Sequence, residues 1–134
     1  MCIRDSTAVM VVSLAEEMSV RETIEICRVV RDDLGIHLAR PVVNRVFPKR
    51  FSRADVAAIE SRGSAASAPL VAAAEFAIAR RREAERHVAH LRRALGESPV
   101  LFRQLFVSEL QAADLGPLGR TIGRSLLDAA EAKR

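Results

Sequence analysis

Two apolar runs joined by one amphipathic helical stretch constrain this chain more than any other feature. Residues 7–13, Thr-Ala-Val-Met-Val-Val-Ser, are apolar or β-branched without clean alternation, and Pro41-Val42-Val43 ahead of Asn44 is of the same kind. Such runs predict strands buried on both faces, which belong to parallel sheets covered by helices. Between them Val20, Ile24, Cys27, Val30 and Leu34 recur at helical spacing. Ser19 and Glu22 have the capping-box spacing that predicts the start of this helix, and Gly35 predicts its end. Strand, helix, strand with short connections is a βαβ unit, with parallel strands and a right-handed crossover. In open sheets of this kind ligands sit beyond the carboxyl ends of the strands, where both Glu16-Glu17 and Asn44 fall.

The remainder reads as mostly helical. Ser52 with Asp55 three residues on predicts a capped helix to about Ser61, broken by Arg62-Gly63-Ser64. A long helix is predicted over 68–95, where Leu70, Ala74, Ala77, Ala84, Val88, Leu91 and Leu95 form a heptad-like stripe interrupted by Arg81. Gly96 closes it, Pro99-Val100-Leu101-Phe102 predicts one more short buried strand, and Pro117 is expected to open a last helix with Leu118, Ile122, Leu126 and Ala130 on one face. Residues 103–113 carry no decisive pattern, and 131–134 are expected to fray. The segment Met1-Cys2-Ile3-Arg4-Asp5-Ser6 has neither the regions of a signal peptide nor continuity with the first strand, and is expected to be a non-native leader on a chain that was naturally longer.

At 134 residues the chain suits one domain that can bury a core without disulfides or metals. Cys2 and Cys27 are too few and too far apart for a disulfide framework or a zinc motif, so a reducing, cytoplasmic setting is the expectation. A net charge of +4 is too mild to argue for nucleic acid. The excess of Arg over Lys and the heavy use of Ala read as the mark of a GC-rich bacterial gene. No apolar run reaches the roughly 18 residues that a bilayer span requires.

Asn44 is the first candidate site residue. A carboxamide accepts from the N6 amino group of adenine and donates to a ring nitrogen, but an Asn at a strand end also bonds its own turn. Glu16 and Glu17 could hold a metal-bound water or favour a helix start through its dipole. Glu83, His87 and His90 have helical spacing that could gather a metal, yet they sit among charged neighbours and no second cluster accompanies them. Arg80-Arg81-Arg82, Arg86, Arg92 and Arg93 form a basic ridge diluted by Glu83 and Glu85, with no Tyr or Trp for base stacking. The chain contains no G-x-x-x-x-G-K-[ST] loop, no G-x-G-x-x-G and no nucleophile elbow.

Taken together, TAVMVVSLAEEMSVRETIEI, then PVVNRVFP, then SPVLF and a final Gly-punctuated helix resemble the carboxy-terminal part of the ArsA-type anion-transporting ATPases. This P-loop family includes the arsenite-pump ATPase and the eukaryotic factor that targets tail-anchored membrane proteins. The likeness runs from Thr7 to about Ala130 and is best over 7–48. It implies an α/β class, with a partial P-loop NTPase fold made of a parallel sheet fragment, the βαβ unit plus one short strand, a long helix and a C-terminal helix. It implies adenine recognition by Asn44, with Pro99 packing against the base, and ATP and Mg²⁺ as cofactors. The P-loop, switch segments and Mg²⁺-binding Asp have no counterpart in residues 7–134, so ATP hydrolysis would belong to the intact protein only. A homodimer or pseudo-dimer closing on the nucleotide, no nucleic acid partner, and a membrane reached only through a client or membrane partner also follow. Ala15 stands where a proline is usual, and residues 49–70 lack the C-x-x-C of the zinc-clipped dimers, so zinc is not implied. Exposed sheet edges predict poor solubility. A different reading makes the 68–95 helix a protein-interaction module braced by the short strands.

Overall fold

The computed structural model describes residues 8–61 and 68–131. The leader at 1–6, the break at 62–64 and most of the 131–134 tail therefore lie outside the described residues. The described residues have an α/β arrangement with parallel strands in two small sheets and four α-helices. In order they are β1 (Ala8–Val9), β2 (Val12–Leu14), α1 (Glu17–Arg28), β3 (His37–Leu38), β4 (Val42–Val46), α2 (Arg53–Glu60), α3 (Ala68–Leu95), β5 (Val100–Arg103) and α4 (Ala112–Glu131). β1 pairs with β3, and β2-β4-β5 form the second sheet with β4 in the centre.

The predicted first strand is thus two short ones, and Pro41 explains the break. Ala39 N–H donates to Val9 O at 2.8 Å, so the next inward donor along the partner strand should be residue 41. Proline has no N–H to give. Val42 N–H takes Val11 O instead, at 2.9 Å, and the register moves on by one residue, from Val9 opposite Leu38 to Val12 opposite Val42. His37 pairs with Ala8 as part of β3.

Among the described residues only the central strand is buried on both faces. Val42 and Val43 are adjacent, point to opposite sides, and are 2 % and 0 % exposed. β2 lies at the sheet margin and leaves Val12 61 % exposed, which corrects the expectation of a strand covered on both sides. The main core gathers Val20, Ile24 and Cys27 from α1, Val43 and Val46 from β4, and Ala84, Leu91 and Leu95 from α3. Each aliphatic side chain fully buried there contributes roughly 1.5–3 kcal/mol relative to exposure.

α1 begins before the predicted capping box. Glu16 is its N-cap, with no side-chain cap bond, and Glu17 lies in the first turn, the position from which a carboxylate favours the helix dipole. Ser19 lies inside the helix, where its carbonyl accepts from Thr23 Oγ1 at 2.7 Å. The helix continues as a π-helical turn, Val29–Asp33, before Gly35 turns the chain at φ +61°. α2 carries the full reciprocal cap: Ser52 Oγ accepts from Asp55 N–H, and the Asp55 carboxylate accepts from Ser52 N–H. α3 has the predicted bounds. α4 starts five residues before Pro117, which lies inside it rather than opening it, because the Asp114 carboxylate already accepts from Gln111 N–H at 3.0 Å and starts the first turn.

Candidate functional site

The carboxyl end of β4 departs from regular strand geometry. Val43 pairs with Leu101 and Val46 with Arg103, so β4 uses one residue more than β5 over the same length. This is a β-bulge, a device that re-aims side chains at sheet rims. Arg45 carries the distortion with φ +56°, in the left-handed region that L residues other than Asn and Asp seldom occupy.

Asn44 is half-buried on this bulge, opposite Leu14 of β2. Its Oδ1 accepts from Arg45 N–H at 2.8 Å, which satisfies the donor that the bulge turns out of the ladder. The turn-closing role of an Asn is therefore present. The Nδ2 group makes no hydrogen bond among the described residues, and Oδ1 keeps a second lone pair.

The neighbours of Asn44 come from β5 and the loops beyond both strands. Arg45 Nε donates to Gln104 Oε1 at 2.8 Å, Gln104 N–H donates to Val46 O at 2.9 Å, and Gln104 Nε2 donates to Leu105 O at 2.9 Å. Just past these, Phe47 and Phe106 meet edge to face with centroids 5.9 Å apart. The Arg50 guanidinium lies 4.1 Å above the Phe106 ring and that of Arg80 5.6 Å above Phe47. Gln104, Phe47 and Phe106 were not among the sequence candidates. Their signal was a shared pattern of polar, aliphatic, Phe at both strand ends, Arg45-Val46-Phe47 and Gln104-Leu105-Phe106.

Pro99 is not brought to Asn44. It is buried and precedes Val100, whose N–H donates to Pro41 O at 2.8 Å, so it sits at the amino end of β5. Three residue steps of roughly 3.3 Å along the strands separate the two levels, about 10 Å. Glu83 is held by Arg80 at 3.1 Å, and no group of three His, Cys, Asp or Glu side chains that could hold a metal is found among the described residues. The stripe of α3 is largely spent internally, since Ala84, Leu91 and Leu95 are in the core and Val88 packs on it, while Leu70 and Phe76 near its amino end are exposed. The interruption at Arg81 also has a partner: its Nη1 donates to Phe47 O and its Nε to Glu85 Oε1, both at 2.7 Å.

Two titratable groups are displaced from their ordinary values. Burial in the core pushes the Cys27 thiol up, against an opposing pull from Arg31. Hydrogen bonds from the Ser52 hydroxyl and then the Ser52 N–H hold Asp55 below the usual carboxylate value.

Comparison with known proteins finds no matching family model and no matching curated protein. No helix among the described residues is long and apolar enough to cross a membrane.

Proposed function

We propose that this chain supplies the base-binding edge of an adenine-nucleotide site in an ArsA-like ATPase, with the phosphate- and Mg²⁺-binding residues contributed from outside these 134 residues. The observation that carries the reading is the position of Asn44: on a bulge at the carboxyl end of a central parallel strand, with Nδ2 unbonded among the described residues and an aromatic pair just beyond it. Parallel sheets place their ligands at this end. Adenine needs one donor and one acceptor from a carboxamide, and both remain on Asn44 after the bond to Arg45 N–H is made. Phe106, 53 % exposed, offers a ring face or edge to a purine. ATP hydrolysis then belongs to the Mg²⁺- and phosphate-holding residues, because phosphoryl transfer is catalysed by positioning and charge at the phosphates rather than at the base.

The test is a titration of the ¹⁵N-labelled chain with adenosine and with guanosine, followed by amide NMR. Adenosine is expected to move Asn44, Arg45 and Gln104 with an affinity on the order of millimolar, guanosine to do so more weakly, and Asn44→Ala to remove the preference. Equal shifts from both nucleosides, or none at these three residues, would refute the proposal.

A further inference from the structure

The loop after β4 and the first turn of α2 lean against the middle of α3 and enclose a cavity of about 260 Å³. Its lining has two characters. Pro48, Phe51, Ala77 and Ile78 give apolar walls, while Lys49, Arg50, Arg53, Arg81 and Arg82 surround them with positive charge. Glu85 is the one carboxylate among the described lining residues, and it is taken up by Arg81. The nearest acid on α2, Asp55, accepts from both the N–H and the hydroxyl of Ser52 at 2.6 Å. Arg50 is stacked on Phe106. Arg53 and Arg82 are exposed and make no hydrogen bond or ion pair among the described residues.

Those two guanidiniums come from different helices and border a second recess as well. Between α2 and α3 the groove continues into a cavity of about 310 Å³ lined by Val56, Ala57, Ile78 and Ala79 and by the carboxylates Glu60 and Glu75, which balance Arg53 and Arg82 on that side; Arg53, Ile78 and Arg82 line both spaces. The excess of positive charge lies in the first cavity, where five basic side chains stand against Glu85 alone, and like charges gathered in a concave site with apolar walls raise the local concentration of anions. A guanidinium presents a planar fork of donors that matches the oxygens of a phosphate, and two of them neutralise a doubly charged group that one carboxylate ligand would leave half-matched.

We propose that this groove binds a small organic phosphate ester, with the phosphate held between Arg53 and Arg82 and the apolar body laid on Ala77, Ile78 and Phe51. The site adjoins the base-binding edge, since Arg50 lines the cavity and stacks on Phe106, but Asn44 is not among its lining residues and the phosphate contacts do not depend on that carboxamide. Free phosphate shares the charged half of the recognition and lacks the apolar half, which makes the two distinguishable.

Isothermal titration of the full chain with phenyl phosphate, inorganic phosphate and benzoate tests the inference. Phenyl phosphate is expected to bind saturably at one site, about tenfold more tightly than inorganic phosphate because of the apolar wall, and more tightly than benzoate because of the second charge. Arg53→Ala and Arg82→Ala, both at exposed positions, are expected to weaken it about tenfold each with an unchanged circular dichroism spectrum, and Asn44→Ala to leave it unaltered. Absence of saturable binding in the millimolar range, or undiminished binding to the double Arg variant, overturns the proposal. Loss of binding in Asn44→Ala overturns the independence of the phosphate site from Asn44. Preference for a DNA duplex with a steep salt dependence, in place of phenyl phosphate, also counts against it.

Discussion

The backbone at Arg45 offers a sharp test of the strand end, because four side chains at this one position separate strain from contact. A left-handed conformation costs an L residue roughly 1–2 kcal/mol, and Arg45 bears it at φ +56°. What its side chain returns is one exposed hydrogen bond to Gln104, worth about 0.5 kcal/mol. Arg45→Ala keeps the strain and removes the bond, so it should destabilise by about 0.5 kcal/mol. Arg45→Gly also removes the bond but relieves the strain, against which stands roughly 0.4–1 kcal/mol of extra freedom in the unfolded chain. The net result should lie between about 0.5 kcal/mol less and about 1 kcal/mol more stable than the parent. Arg45→Val adds a β-branch where the backbone tolerates it least and should fall at least about 1 kcal/mol below Ala. Urea unfolding followed by circular dichroism, with a common slope across the series, reads all three. The expected order is Arg and Gly first, then Ala, then Val. A Val variant as stable as the Ala variant would mean that residue 45 is not held in this conformation and that the bulge does not aim Asn44.

Leu91 is wholly buried between α1, α3 and β4, and Leu91→Ala is expected to destabilise by about 3 kcal/mol, a fall in Tm of roughly 10 °C, visible in a thermal melt. Because the folded-state pKa of Asp55 is depressed below 3.8, its cap is intact above that value and is lost as pH falls through the lower folded value; ¹⁵N shifts of Ser52 and Asp55 should follow a single titration there, and Asp55→Asn should abolish it. Cys27 is 1 % exposed with its thiol pKa raised, so in a Cys2→Ser background a thiol reagent at neutral pH should label it only at the rate of opening, and fast stoichiometric labelling of the native protein would contradict the packing around α1.

Long, strongly patterned segments were legible in the sequence, and places where one atom decides the geometry were less so. α3 runs over the predicted residues because its stripe and the glycine beyond it agree, with Gly96 at φ +74°. The cap on α2 was visible in Ser52 and Asp55, whereas the same spacing at Ser19 and Glu22 was not used, since spacing cannot show that the helix has already begun one turn earlier. The missing N–H of Pro41 split the first strand, a consequence that can be read from the sequence only once the register of the partner is known. Asn44 was found from its place after an apolar run. Gln104, Phe47 and Phe106 were missed because they are joined by pairing between strands more than fifty residues apart, and nothing in composition marks Arg45 for positive φ.

Arg81 was an irregularity in an apolar stripe and proves to be a rivet. One guanidinium grips the carbonyl just past β4 and, through Glu85, the next turn of its own helix, so the segment leading out of the sheet is tied to the long helix. A shift of that helix is therefore felt first at Phe47, three residues along the chain from Asn44.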